Sequence, residues 1–78
     1  MKRSCLLSEL PPHMTAVIVR LDSSDALSKR LTDLGVTEGE QITAEFRSPF
    51  GDPTAYRVKG CLLALRKKDC GTVEVAYE

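Results

Sequence analysis

Gln41 to Arg47 alternates without a break: Ile42, Ala44 and Phe46 on one parity, Gln41, Thr43, Glu45 and Arg47 on the other. Successive side chains of an extended chain point to opposite faces, so a period of two describes a strand with one buried and one wet face. The same pattern returns where Tyr56 and Val58 alternate with Arg57 and Lys59, and again where Val73, Val75 and Tyr77 alternate with Thr72, Glu74 and Ala76. Phe46 and Tyr56 are therefore expected in the core. Two further runs are apolar on both parities. Ala16–Leu21 (AVIVRL) reads as a strand covered on both faces, or as a barrel strand near its closure. Cys61–Leu65 (CLLAL) reads as a second covered strand.

One segment breaks this rhythm. Leu27, Leu31 and Leu34 recur at steps of four and three, which places them on one face of a helix. Ser and Asp residues at 22–25 precede them and supply acceptors for a helix start. Gly35 follows the last leucine, where a left-handed residue closes a helix end. The spacing predicts a helix from about Ser24 to Leu34, too short to stand without packing on a sheet. Thr37–Glu40 with Gly39, Lys59-Gly60 and Asp69–Gly71 read as turns. The sum is mainly β: five strands, with one short helix between strands 1 and 2. Rolling so small a sheet removes most of its exposed edges. A five-stranded antiparallel SH3-like barrel fits, and an OB-fold is the rival, although its helix usually falls between the third and fourth strands. A chain of 78 residues is expected to form one domain, 1–78.

The stretch Ser48-Pro49-Phe50-Gly51-Asp52-Pro53 lies between two of these strands. A phosphate-cradling loop needs several glycines and a helix start beyond them. Here one glycine leads into a strand pattern. Pro49 fixes φ, Gly51 allows positive φ, Asp52 can bond nearby backbone and Pro53 bars strand pairing at its position. The stretch is a corner, with Phe50 exposed at its tip.

Eleven basic residues face eleven acidic ones, so no net charge steers the chain toward nucleic acid or an anionic membrane. The basic run Arg66-Lys67-Lys68 keeps open an alternative, a small barrel that binds nucleic acid. Only Phe46, Phe50, Tyr56 and Tyr77 are aromatic, which leaves few stacking platforms. Cys5, Cys61 and Cys70 form no C-x-x-C pair and are expected as reduced cytosolic thiols. Cys61, in an apolar strand, is expected in the core, and Cys70, in a turn, at the surface. His13, the single histidine, has no second ligand at metal-binding spacing. No serine or carboxylate has a matched catalytic partner. The expectation is a cytoplasmic non-enzyme without catalytic residues, metal site or cofactor, and without membrane insertion, since no run approaches a membrane span. Self-association is left open.

Three motifs in order, "RLTDLGVTEGEQI" (Arg30 to Ile42), "SPFGDPTAYRV" (Ser48 to Val58) and "LALRKKDCGTVEV" (Leu63 to Val75), resemble the FeoA family of small cytosolic proteins of bacterial ferrous iron uptake. The resemblance runs from about Leu7 to Val75. It implies an SH3-like barrel and a partner role: docking on a FeoB-like membrane ferrous iron permease with a G-protein domain, with no nucleic acid involved. The expected docking residues are Arg30, Leu31, Leu34, Phe50, Arg66 and Lys67. Arg30 or Arg66 is the candidate for stimulating the partner's nucleotide hydrolysis. Gly35, Gly39, Gly51, Asp52 and Pro53 are expected as turn formers. The chain departs from the family pattern at Pro12-His13, where Pro-Gly is usual before the first strand, and at Glu38, where Pro is common.

Overall fold

A computed structural model describes residues 3–22, 26–49 and 51–77. The predicted helix-start residues Ser23, Ser24 and Asp25, and the predicted tip residue Phe50, lie outside the described residues. The chain forms strands β1 (Arg3–Leu6), β2 (Thr15–Leu21), β3 (Gln41–Arg47), β4 (Thr54–Val58), β5 (Cys61–Leu65) and β6 (Val73–Tyr77). Helix α1 (Ala26–Asp33) joins β2 to β3, and a single helical turn, α2 (Lys67–Cys70), joins β5 to β6. A 3-10 turn, Leu7–Glu9, follows β1, with the Glu9 carboxylate accepting the Leu6 N–H at 3.0 Å.

The strands form one antiparallel sheet in the order β1-β6-β2-β3-β4-β5. The architecture is the expected mainly β one, with six strands rather than five. The additional strand is β1. Its sequence, Arg-Ser-Cys-Leu, has no alternation of its own, and its extended form comes from pairing with β6, from Arg3 opposite Tyr77 to Leu6 opposite Glu74. The helix consequently lies between the second and third strands. The expected turn at Asp69–Gly71 is instead the end of α2.

Leu7, Leu10, Ile18, Leu31, Ile42, Val73 and Val75 are at most 1% exposed and make the core. α1 contributes Leu27 and Leu31. Its end is built by hydrogen bonds: Gly35 N–H to the Thr32 carbonyl (2.9 Å) and Val36 N–H to the Leu31 carbonyl (2.8 Å), with Gly35 at φ +84°. This is the paired 5→2 and 6→1 arrangement of a glycine-closed helix, and its usual apolar contact joins the two buried residues Leu31 and Val36. Val36 thus takes the core place that the heptad-like spacing reserves for Leu34, and Leu34 is turned outward, 54% exposed.

Two register shifts break the period of two. The β3–β4 pairing slips between Ala44 and Phe46, so that Glu45 and Phe46 together face Ala55. An extra residue in one strand inverts the parity beyond it. Phe46, expected in the core, is therefore exposed. Val19 lies on the outward parity opposite buried Ala16 and Ile18 and is exposed, so β2 is not covered on both faces. A second shift between Ile18 and Arg20 turns Arg20 outward and Leu21 toward the core. β5 is not a covered strand either. It lies at the sheet margin, and Cys61, expected in the core, is exposed with Leu62 and Ala64. Cys70, expected at the surface, is fully buried because α2 turns it inward against the 3-10 turn after β1. There Tyr56 donates its hydroxyl proton to the Leu7 carbonyl (3.3 Å), with the Cys70 thiol beside it. This contact ties the segment after β1 to β4 and α2.

Candidate functional site

The corner at Ser48–Pro53 closes on itself. Gly51, at φ +83°, donates its N–H to the Ser48 carbonyl (2.8 Å), and the Ser48 hydroxyl donates to the Asp52 carbonyl (2.7 Å). The Asp52–Pro53 peptide bond is cis. The Asp52 carboxylate points away from the corner and accepts the backbone N–H of Lys67 (2.8 Å) at the start of α2. The corner therefore positions the basic segment. Ser8, Arg47, Thr54, Tyr56 and Lys67 surround a cavity of about 50 Å³ beside it. That is well below the ~300 Å³ at which ligand pockets begin. Gly39, at φ +96°, forms the turn into β3 and donates its N–H to the Ile18 carbonyl (2.7 Å).

The structure sorts the expected docking residues into three groups. Leu31 is wholly buried and belongs to the core, because it forms the inner contact of the α1 closure. Arg30 and Leu34 are exposed on and just beyond α1. Arg66 and Lys67 are exposed at the start of α2. Arg30 lines a groove with Asp69 of α2, so the exposed groups of both helices share one end of the barrel. Consecutive residues of a helix step by about 100° around its axis, so Lys67 and Lys68 diverge rather than form a phosphate-tracking stripe.

Lys59 is a residue that the sequence reading missed. Its ammonium donates to the Gly35 carbonyl (3.2 Å) and pairs with Glu40 (3.7 Å). A cation at the carbonyl end of a helix offsets the partial negative charge there. The two-residue Lys59-Gly60 turn, with φ of +51° and +78°, brings this amine across to the helix end. The tight turn was the readable signal, but not the reach of its side chain. Among the described residues no three His, Cys, Asp or Glu side chains group to hold a metal ion, and no helix is long and apolar enough to cross a membrane.

The FeoA domain family model matches residues 5–77. Over 69 residues the chain is 36% identical to the Fe(2+) transport protein A/Fe(2+) transporter FeoB fusion protein of Porphyromonas gingivalis, a match covering 88% of this chain and 8% of that protein. The chain thus spans a small fraction of this curated relative. The solution structure of the FeoA-like protein of Clostridium acetobutylicum superimposes with a TM-score of 0.84 at 27% identity, covering 96% of this chain and 87% of that one. The crystal structure of Stenotrophomonas maltophilia FeoA with zinc, described as a procaryotic SH3 domain protein, gives 0.73 at 35% identity, covering 91% and 88%. The fold is SH3-like.

Proposed function

The chain belongs to the FeoA domain family, and on that premise we propose that it serves ferrous iron uptake as a non-enzymatic cytosolic accessory that docks on a FeoB-type permease and modulates transport. The observation that carries this reading is the fusion relative, in which a homologous segment and a FeoB transporter occupy one polypeptide. A tether of that kind holds two modules at an effective concentration on the order of millimolar, an arrangement suited to parts that act together. The barrel end bearing α1 and α2 supplies the contact zone. Arg30, Leu34, Arg66 and Lys67 are its exposed groups, an apolar side chain set among guanidinium and ammonium donors.

The test is a pull-down of the permease's G-protein domain from the same genome, in its GDP-bound and GTP-analogue-bound states. Retention in at least one state, reduced by Leu34→Asp, and impaired ferrous uptake after deletion of the gene are the expected results. No retention in either state with normal uptake overturns the reading. Arg30→Ala and Arg66→Ala are assayed for the partner's nucleotide hydrolysis. Unchanged rates for both remove any stimulatory role of these arginines and leave docking as the function.

A further inference from the structure

β5 ends the sheet, and its outer margin has no strand beside it among the described residues. The two-residue Lys59-Gly60 hairpin fixes which backbone groups are available. Val58 and Cys61 flank the turn and exchange hydrogen bonds, so Tyr56–Leu63 and Thr54–Leu65 do likewise by alternation. The N–H and C=O groups of Leu62 and Ala64 then point away from β4, along the open edge. Edge strands are commonly blunted by a charge, a proline or a bulge. Cys-Leu-Leu-Ala-Leu has none of these.

The side chains beside this edge are apolar and exposed as well. Leu62 is 48% exposed, and Phe46 is 57% exposed. Phe46, Ala55 and Ala64 form one cross-strand row over β3, β4 and β5. The Glu45–Phe46 bulge is what brings the aromatic ring to this face. The rim is basic: Arg47 and Arg57 on the sheet, Lys59 at the hairpin tip, Arg66 and Lys67 beyond the far end of β5. Glu45 pairs with Arg57 (3.4 Å) and Glu40 with Lys59 (3.7 Å), so the cations of the rim outside these pairs are Arg47, Arg66 and Lys67.

We infer that the β5 edge takes an extended, acidic segment of a protein partner as a seventh strand. Its backbone hydrogen-bonds to Leu62 and Ala64, its apolar side chains lie beside Leu62 and Phe46, and its carboxylates meet the basic rim. Charge decides against a second copy of the chain in this place. A two-fold antiparallel pairing of β5 with itself brings Lys59 of each copy toward Arg66 and Lys67 of the other, and like charges in register oppose association. The inference rests on the exposed edge and its charge and is independent of which protein supplies the segment.

A blocked decapeptide alternating valine and glutamate is the probe, titrated into the ¹⁵N-labelled protein. Shift changes and slowed amide exchange centred on Leu62 and Ala64 are expected, together with loss of binding when lysine replaces glutamate in the peptide. Leu62→Glu is expected to weaken binding about tenfold or more by adding a repelled charge. Ala64→Pro is expected to weaken it by removing an edge donor. Should Ala64→Pro fail to fold, Leu62→Glu carries the test, because its side chain lies on the solvent face. A response centred on β1 or α1, equal binding of the lysine peptide, or concentration-dependent dimerisation without a peptide response overturns the proposal. The two contacts share Arg66 and Lys67, but the docking test turns on Leu34 and the edge test on Leu62, so each can fail without the other.

Discussion

The Asp52 carboxylate accepts the backbone N–H of Lys67 at 2.8 Å, and so a corner between two strands caps a helical turn fifteen residues further along the chain. Arg66 occupies the residue before α2 and makes no side-chain cap, since a guanidinium has donors only. The acceptor is supplied from the neighbouring loop. Asp52→Ala is expected to cost about 1 kcal/mol, the usual worth of a helix cap. For a domain this small that corresponds to a fall in Tm of roughly 4–8 °C. Asp52→Asn, which keeps an acceptor oxygen, should lose less. Thermal denaturation followed by circular dichroism checks both.

His13 stands at φ +69°, in a turn where the Met14 N–H meets the Pro11 carbonyl at 3.3 Å. A type II turn requires a left-handed residue at its third position and commonly has Pro at its second. The family's Pro-Gly is thus replaced without loss of the turn, but with a side chain in a disfavoured region. His13→Gly is expected to raise stability by about 1 kcal/mol, the steric cost of the left-handed form for a residue with a Cβ. A higher urea midpoint with an unchanged slope is the expected readout.

Cys61 and Cys70 should differ sharply toward an alkylating reagent. Cys61 is exposed on the edge strand, and Cys70 is fully buried against Tyr56. Mass spectrometry after a short exposure of the native protein to iodoacetamide is expected to place the first label on Cys61 and none on Cys70.

The same buried pair sets an alkaline limit. Burial chiefly pushes the Cys70 thiol up to about 11; the Tyr56 hydrogen bond works against this rise, while Asp69 and Asp52 add to it. The Tyr56 hydroxyl is also raised, first by burial and then by Cys70. Both groups hold their protons more tightly folded than unfolded. The Cys70 contribution is therefore complete below the thiol's ordinary value of 9.0 and is lost as pH rises through about 11, while that of Tyr56 is complete below its ordinary 10.0 and is lost at still higher pH. Stability should fall across that interval, and Cys70→Ala should flatten the fall.

Leu31 and Phe46 make a contrast that reads the register directly. Leu31→Ala opens a cavity under α1 and is expected to cost about 2–5 kcal/mol. Phe46→Ser, on the outer face, should stay within about 0.5 kcal/mol. A large loss for Phe46→Ser would place its ring in the core and contradict the bulge. Chemical denaturation of the two variants decides it.

What the amino-acid order determined on its own is local. The alternation through β3, β4 and β6, the leucine spacing of α1, its closure at Gly35, the Lys59-Gly60 hairpin and the corner at Ser48–Pro53 are all readable, because period and permitted φ are properties of a few adjacent residues. The motif order was also enough to point to the family. Register, by contrast, is a relation between strands. The bulge that turns Phe46 outward and the slip that turns Leu21 toward the core exist only once β4 and β6 are in place. β1 is extended because β6 pairs with it. Cys61 and Cys70 exchange their expected places because an apolar strand fell at the sheet margin and a polar-looking turn folded inward over Tyr56. Tertiary packing alone settled those positions, since burial depends on which neighbour covers a residue, and that neighbour is distant in the chain.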